Sequence, residues 1–429
     1  MNKVKIGILG LGNVGTGVWK ILNTNKEEIR KRSGYDIEIE KILVRDVNKD
    51  RGIDVPKELL TDNPDDVLKD NSIEIVVELM GGVEPAKEYI LEAMKNKKHV
   101  VTANKMLLAT EGDELFAKAE NEGVMFYYEA SVAGGIPIIH AINESLTANK
   151  IEQVIGIING TTNYILTKMT FENMTFEDAL REAQEKGFAE ADPTSDVEGY
   201  DAMYKLAILT SLSFGTRINI KDIYREGITN IKPIDIKYAK DFGYVIKLIA
   251  IVKEVSGKLE MRVHPAMLPE RHPLASVNDS FNAIFIRGNA VGDMMLYGRG
   301  AGDLPTGSAV VSDIISILRG NTDVEAISAV KNNYWNIKPS PMANTKSEYY
   351  IRISVMDLPG VLGEISTIFG EEDVSILSVM QKGKREEFTS VVYFTHTTFE
   401  GNINRAIEKI NASAHVKCVD NIIRIENIQ

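Results

Sequence analysis

Cysteine is nearly missing from this chain of 429 residues, which holds one, Cys418. A single thiol rules out an internal disulfide and any cysteine-built zinc site, and it suits a reducing compartment. Basic charge is also in short supply: 49 Lys and Arg face 61 Asp and Glu, for a net charge of -12. With no long basic tract, nucleic acid is not expected as the main partner. Long hydrophobic runs are lacking too, and none reaches the roughly 18–20 residues a membrane span needs. The opening Met1-Asn-Lys-Val-Lys-Ile-Gly passes straight into a strand pattern, without a signal-peptide layout. These absences point to a soluble, cytoplasmic globular protein with no membrane contact. Its length allows two or three domains of roughly 100–200 residues each.

The strongest pattern present is the first one. Val4-Lys-Ile-Gly-Ile-Leu9 alternates and then runs apolar, as a buried parallel strand does. It leads into Gly10-Leu-Gly12-Asn13-Val14-Gly15 and then an amphipathic helix through Val18, Trp19, Ile21 and Leu22. G-x-G-x-x-G between strand and helix predicts dinucleotide binding. Gly10 permits the tight turn, Gly12 lets backbone approach a pyrophosphate, and Gly15 lets helix pack on strand. The helix amino terminus then meets the phosphate charge. A second strand, Ile37–Val44, ends at Arg45-Asp46. An arginine there accommodates the 2′-phosphate of NADP, whereas an acidic residue receives the ribose of NAD. Arg45, with Lys49 and Arg51 behind it, favours NADP; Asp46 keeps NAD open.

Strands are also expected at Ile73–Leu79, His99–Val101 and Val124–Tyr128. Ligands bind at the carboxyl ends of strands in open α/β sheets, so Thr102, Asn104 and Lys105 should face the cofactor. The loop from Glu129 to Pro137 leaves this domain. Past it come a strand, Ile151–Ile158, the turn Asn159-Gly160-Thr161-Thr162-Asn163-Tyr164, and a helix over Thr175–Lys186 closed by Gly187.

An acidic turn follows, with Glu190, Asp192, Asp196 and Glu198 around Pro193, and then a largely apolar helix. Ser195 or Asp196 is expected to cap that helix. Asp201 and Lys205 lie four apart and share a face. An exposed pair of this kind would contribute only a few tenths of a kcal/mol. Here Ala202, Met203, Leu206, Ala207, Leu209 and Leu212 surround the pair, and a helix apolar all round is buried. A lysine inside it needs a charged partner or loses its proton. Ringed by carboxylates, it suits binding an amino-acid zwitterion while moving a proton.

Alternating segments at Lys247–Lys253, Leu259–Val263 and Phe281–Ile286 predict a largely antiparallel sheet. Gly298–Gly307 reads as a glycine-rich loop before a helix over Ser308–Leu318, where Gly302 can meet cofactor phosphate or amide groups. Lys338–Lys346 is a proline-punctuated linker. The strand and helix order beyond it, βαββαβ, predicts a small ferredoxin-like α+β domain.

From the first strand to about Gly320 the chain closely resembles homoserine dehydrogenase. The stretches that carry the resemblance are Gly10–Gly15, Thr102–Lys105, Glu129–Ile136, Asn159–Tyr164, Gly187–Lys205 and Gly298–Gly307, in the family's order. Gly187–Lys205 is the most specific of them. Asp357-Leu-Pro-Gly-Val-Leu362 resembles the ACT amino-acid-sensing domains. The resemblance implies reversible, NAD- or NADP-dependent interconversion of L-homoserine and L-aspartate 4-semialdehyde. It makes Lys205 the acid/base and puts Lys105 between cofactor and substrate. It gives Glu190 and Asp201 the substrate's amino end, with Asp196, Gly160 and Thr161 also at the substrate. Gly10, Gly12, Asn13, Val14, Gly15, Arg45, Thr102, Lys105, Gly187 and Gly302 would serve the cofactor. Glu129, Val132, Gly134 and Ile136 would hold a sodium ion, mostly through carbonyl oxygens that suit a hard cation. L-threonine is the effector implied for the ACT domain, and a homodimer or higher homo-oligomer is implied.

The expected fold is α/β: a Rossmann-type nucleotide domain at 1–135 with a return segment at about 298–325, an α+β substrate and dimerisation domain at 136–325, a linker at 326–346, and an ACT domain at 347–429. The alternative from another class is a regulator that binds nucleotide and amino acid without catalysis. Glu190, Asp201 and Lys205 together speak against it.

Overall fold

Strand β1 (Asn2–Leu9) buries all of its last four residues, as a strand covered on both sheet faces must. It is central to a parallel sheet with β2 (Tyr35–Leu43), β3 (Leu60–Thr61), β4 (Ile73–Glu78), β5 (His99–Thr102) and β6 (Phe126–Tyr127). The order is β3-β2-β1-β4-β5-β6 and every pairing is parallel. Strand order reverses beside β1, so Gly10–Gly15 lies at the switch point where such sheets take ligands. β6 is shorter than the alternating pattern suggested; as an edge strand it has one neighbour, and only Phe126 and Tyr127 pair. The computed structural model describes residues 2–320, 335–381 and 387–427. Residues 321–334, which include part of the expected return segment and linker, lie outside the described residues.

The chain divides into two units: Met1–Val154, Asp201–Lys221 and Phe281–Asn336 form one, and Ile155–Tyr200, Asp222–Ser280 and Ile337–Gln429 the other. In the first, Ile6, Ile8, Val18, Ile75, Val310 and Ile314 share one core at 0% exposure. Each such side chain contributes about 1.5–3 kcal/mol by leaving water. Val310 and Ile314 belong to the helix Asp303–Arg319, which starts five residues before its expected position. The supposed glycine loop shrinks to Gly300–Gly302, between the strand Gly292–Arg299 and that helix. Pro305 sits in the helix's first turn, where its missing N–H costs nothing. Gly307 is inside the helix because that helix crosses the helix Asn13–Thr24 closely. A Cβ on Gly307 would lie 2.8 Å from the Gly17 carbonyl carbon, and one on Gly17 would lie 1.9 Å from the Asp303 oxygen.

In the second unit, Tyr244–Val255 and Lys258–Pro269 form an antiparallel hairpin. Its two-residue turn puts Ser256 at φ 52° and Gly257 at φ 75°, the positive values a tight hairpin needs. The C-terminal strands lie in the order Val416–Ile425, Lys346–Met356, Phe388–Thr395, Ile376–Gln381. With the helices Val361–Glu371 and Glu400–Asn411 they make the expected ferredoxin-like domain around Tyr349, Ile353, Phe369 and Ile403. The hairpin is not purely antiparallel in its surroundings. Short parallel pairings join Lys258–Leu259 to Lys338–Pro339, Arg262–Val263 to Tyr224–Arg225, and Ala266–Met267 to Arg424–Ile425.

The acidic turn also differs from expectation. Neither Ser195 nor Asp196 caps the long helix. Both lie in a separate helical turn, Thr194–Val197, and Gly199 at φ 79° then lets the chain reset before the helix Tyr200–Phe214. Among the described residues no helix is long and apolar enough to cross a membrane.

Candidate active site

At the switch point Gly10 has φ 103°, where only glycine is at ease. A Cβ on Gly15 would stand 2.4 Å from the Gly10 oxygen, whereas one on Gly12 would meet no atom within 4 Å. Gly15 is therefore glycine for packing, whereas no neighbour among the described residues accounts for glycine at Gly12. Asn13 and Val14 open the helix beside them. Arg45 and Asp46 are exposed just past β2, with Arg51 folded back onto the Asp46 and Lys49 carbonyls.

Between β4 and β5 lies a buried device that sequence reading missed. Glu78, at 0% exposure, accepts from the Thr102 hydroxyl at 2.6 Å and from the Met80 amide at 2.7 Å. Burial pushes its carboxyl up, against those hydrogen bonds. Thr102 in turn accepts from the Asn104 amide at 3.0 Å, and the Asn104 side chain caps the helix Lys105–Glu122 through Leu107 and reaches the Gly82 carbonyl. Thr102 and Asn104 thus have their side chains committed inside the protein, and they set where Lys105 begins its helix. A carboxylate ending an otherwise apolar strand was the available signal for Glu78.

Lys105 meets the carboxylate singled out in the sequence. Its Nζ lies 2.8 Å from Asp201 Oδ1, and Lys205 Nζ lies 2.7 Å from Asp201 Oδ2. The Asp201 and Lys205 side chains are 5% and 10% exposed, and that of Lys105 is 41%. Burial alone would raise the Asp201 carboxyl, but the ammonium groups of Lys205 and Lys105 hold it well below the usual range. Buried in an apolar helix, this pairing is compulsory: removing one partner of such a buried pair costs about 3–5 kcal/mol.

Glu129 is buried at the end of the crossover. Its carboxylate accepts from the Ile139 and His140 amides at 2.9 and 2.7 Å, and its own amide donates to Asp313. Burial pushes the Glu129 carboxyl up to about 7. His140, hydrogen-bonded to Asp313 at 2.9 Å, is pushed up to about 9. Val132, Gly134 and Ile136 are buried in the following turn, where Ala133 and Gly134 have φ 54° and 51°. Against Gly134 lies the Gly300 carbonyl, and against Gly300 the amide of Asn282, which is fully buried and has no hydrogen-bond partner among the described residues.

In the second unit Asn159 caps the helix Gly160–Glu172 through the Thr162 amide, and its Nδ2 donates to Asp196 Oδ1 at 2.7 Å. The Thr161 hydroxyl donates to the Phe188 carbonyl at 2.6 Å. Gly187, at φ 74°, follows the helix Phe176–Glu185. Asn159 and Thr161 thus tie the Gly160 turn to both ends of the acidic stretch. Glu190 is exposed. Gly302, at φ 120°, precedes the helix Asp303–Arg319 of the first unit.

A glycine loop at a sheet's switch point is where such folds take a dinucleotide, and the buried Asp201 carboxylate holds two ammonium groups in one place within the same unit. The class they define is a nicotinamide-dependent oxidoreductase. Comparison with known proteins narrows the class. Family models match for the homoserine dehydrogenase NAD binding domain over residues 10–129, homoserine dehydrogenase over 137–315, and the ACT domain over 349–415. Homoserine dehydrogenase from Bacillus subtilis (strain 168) is 42% identical over 430 residues, covering 99% of both chains. That from Neisseria gonorrhoeae (strain ATCC 700825 / FA 1090) is 43% identical over 437 residues, covering 100% of both. A crystal structure of a homoserine dehydrogenase from Thiobacillus denitrificans superposes with TM-score 0.93 at 43% identity over 99% of each chain. A hyperthermophilic archaeal homoserine dehydrogenase mutant in complex with NADPH matches 73% of this chain and 97% of its own, with TM-score 0.61 and 29% identity. The chain belongs to the homoserine dehydrogenase family and carries a C-terminal ACT domain.

Proposed function

We propose that this chain interconverts L-homoserine and L-aspartate 4-semialdehyde with Lys205 handling the proton at the substrate oxygen and Lys105 assisting. One observation carries the assignment, the sharing of Asp201 by both lysines. The nicotinamide, when bound, supplies or accepts the hydride. As the aldehyde is reduced, its oxygen gains charge and needs a proton. An ammonium group held in a poorly solvated site supplies it more effectively than water. In the reverse direction the neutral amine takes the hydroxyl proton. Asp201 holds both Nζ atoms to one place, which fixes the geometry that proton transfer requires. Glu190 and Asp201 are the proposed partners of the substrate's ammonium, with Asp196, Gly160 and Thr161 also at the substrate. The ties from Asn159 to Asp196 and from Thr161 to Phe188 support a preformed substrate turn.

For the cofactor we assign Gly10, Gly12, Asn13, Val14, Gly15, Arg45, Thr102, Lys105, Gly187 and Gly302. The open space at Gly12 and the exposed Arg45 support a bound dinucleotide with NADP preferred. Thr102 acts through Asn104 and the helix start, given its bond to Glu78. Glu129, Val132, Gly134 and Ile136 are assigned to a sodium ion. Two residues in the left-handed region turn the backbone there, and a buried carboxylate and the orphaned Asn282 amide nearby fit a hard cation. Held there, the ion would brace the crossover. The ACT domain is assigned L-threonine, the working assembly is assigned as a homodimer or larger, and the compartment as cytoplasmic. The domain limits proposed are 1–135 with a return segment at about 298–325, 136–325, a linker at 326–346, and 347–429.

Initial rates test this reading: L-homoserine with NADP⁺ and NAD⁺ in turn, each with and without L-threonine, in sodium and in choline buffers. Turnover is expected with homoserine, a lower KM for NADP⁺, slowing by threonine, and a higher Tm in sodium. No reduction of either nucleotide with homoserine would contradict the substrate, and equal Tm in both salts would remove the ion.

A further inference from the structure

The six residues Tyr224–Thr229 take no part in the chemistry above, yet both of their faces are engaged. Tyr224 and Arg225 pair with Arg262–Val263, and the Glu226 amide donates to the Val263 carbonyl at 2.8 Å. An extended segment sends alternate side chains to opposite sides. Here each side meets a different part of the second unit.

On one side, Arg424 Nη1 donates to Glu226 Oε2 at 2.8 Å and Nη2 donates to the Tyr224 hydroxyl at 3.0 Å. The Tyr224 hydroxyl also donates to Glu226 at 2.9 Å. Arg424 belongs to the last strand of the C-terminal sheet, is 3% exposed, and is held in fork geometry by Glu400. Glu400 begins the helix Glu400–Asn411 and accepts from the Tyr349 hydroxyl at 2.8 Å. Glu226 is thereby bound into the desolvated charge cluster of the C-terminal domain.

On the other side, Arg225 Nη1 donates to the Glu198 carbonyl, and its guanidinium lies 3.6 Å from the Tyr200 ring centroid. The Ile228 amide donates to the Val197 carbonyl at 2.8 Å and the Thr229 hydroxyl to the Glu198 carboxylate at 3.1 Å. Gly227 is pressed against the same turn: a Cβ there would stand 2.4 Å from the Val197 oxygen. Tyr200 is the first residue of the helix that carries Asp201 and Lys205.

We propose that Tyr224–Thr229 is a two-sided strap by which the C-terminal domain fixes the turn Asp196–Tyr200, with Arg225 the positioning residue for the substrate end of the Asp201–Lys205 helix. This rests on reading Asp196, Asp201 and Lys205 as substrate-site residues. A shift of the last strand reaches that turn through Glu226 and Arg225, so substrate affinity responds to the C-terminal domain without any contact between the domain and the substrate. Catalytic geometry is sensitive to displacements of about 1 Å.

The test uses the full chain with Arg225→Met, Arg225→Lys and Glu226→Gln, each measured for homoserine kcat/KM, cofactor KM and Tm. Arg225→Met is expected to lower homoserine kcat/KM by roughly tenfold or more with cofactor KM unchanged. Arg225→Lys keeps a donor but not the stacked plane, and should fall between wild type and Arg225→Met. Glu226→Gln should act in the same direction, and its combination with Arg225→Met should be less than additive, as on a shared path. Homoserine kcat/KM unchanged in Glu226→Gln and Arg225→Lys, or lowered only by the fraction unfolded, overturns the strap; these two decide if Arg225→Met does not fold. Lys205→Ala is run alongside. Its loss of turnover with the strap variants unaffected sinks the strap alone, whereas retained turnover sinks the site reading on which it rests.

Discussion

Asp201 carries two lysines on its two oxygens, so its substitution has a specific consequence. Asp201→Asn removes from Lys205, on a buried helix face, the carboxylate charge 2.7 Å away. We expect stability to fall by about 3–5 kcal/mol in a urea titration, as for other broken buried pairs. Lys247 is a second buried lysine with a different solution. It is 1% exposed and donates to the Val277 carbonyl at 2.6 Å and to the side-chain oxygens of Asn163 and Asn278 at 3.0 and 3.1 Å. Burial pushes it down to about 7, with Asp279 opposing, from an ordinary value of 10.5. Between those limits the unfolded chain binds the extra proton. Stability from this group is therefore present above the ordinary value and is lost as pH falls through about 7. With Tm measured from about pH 6.5 to about 10.5, the span of the shift, wild type should gain on Lys247→Met as pH rises; a constant gap would contradict this. The Asp201–Lys205 spacing was legible because both residues lie on one helix. Lys105 joining them, and the oxygen cage around Lys247, depend on residues far apart in sequence, and no local pattern encodes them.

Element boundaries followed local chemistry where a single residue type decides them, as at Gly10, Asn104 and Gly187. They departed where packing decides. Gly307 looked like loop because glycine is rare inside helices, yet it is there for the close crossing with Gly17. Gly199 splits the acidic turn from the helix that Ser195 or Asp196 was expected to cap. The two glycines of the first helix region make a paired prediction. Gly17→Ala drives a methyl into the Asp303 carbonyl and should cost about 1–3 kcal/mol in thermal or urea unfolding, with the cofactor KM little changed in the folded fraction. Gly12→Ala meets no protein atom, so stability should move by less than about 0.5 kcal/mol while the cofactor KM rises. Unchanged cofactor KM in Gly12→Ala would remove that face from the dinucleotide site.

At the scale of the whole chain, the succession of a parallel α/β sheet, a mixed sheet and a βαββαβ domain was readable from periodicity and turn residues. The joining of the last two was not, because strand alternation carries no information about which sheet edge a strand will meet. Arg262 shows how deep the join is. At 0% exposure it donates to Glu260 at 2.8 Å and to Glu426 at 2.7 Å, the latter from the end of the C-terminal strand. A chain ending before Lys346 would keep Arg262 and lose Glu426, leaving a buried charge half-compensated at about 3–5 kcal/mol. We expect such a truncation to show a lower Tm than the full chain, even without any amino-acid effector present. Equal Tm values would mean that the C-terminal domain is an independent appendage.

Lys205, as proposed, moves the substrate's proton and does not merely hold the fold. That role is tested by kcat for homoserine oxidation by Lys205→Ala beside cofactor affinity measured by equilibrium binding on the same sample. A fall in kcat of roughly 100- to 10,000-fold is expected, the range for a lost general acid/base, with cofactor affinity preserved. A kcat near the wild-type value, or a matching loss of cofactor affinity, would contradict it.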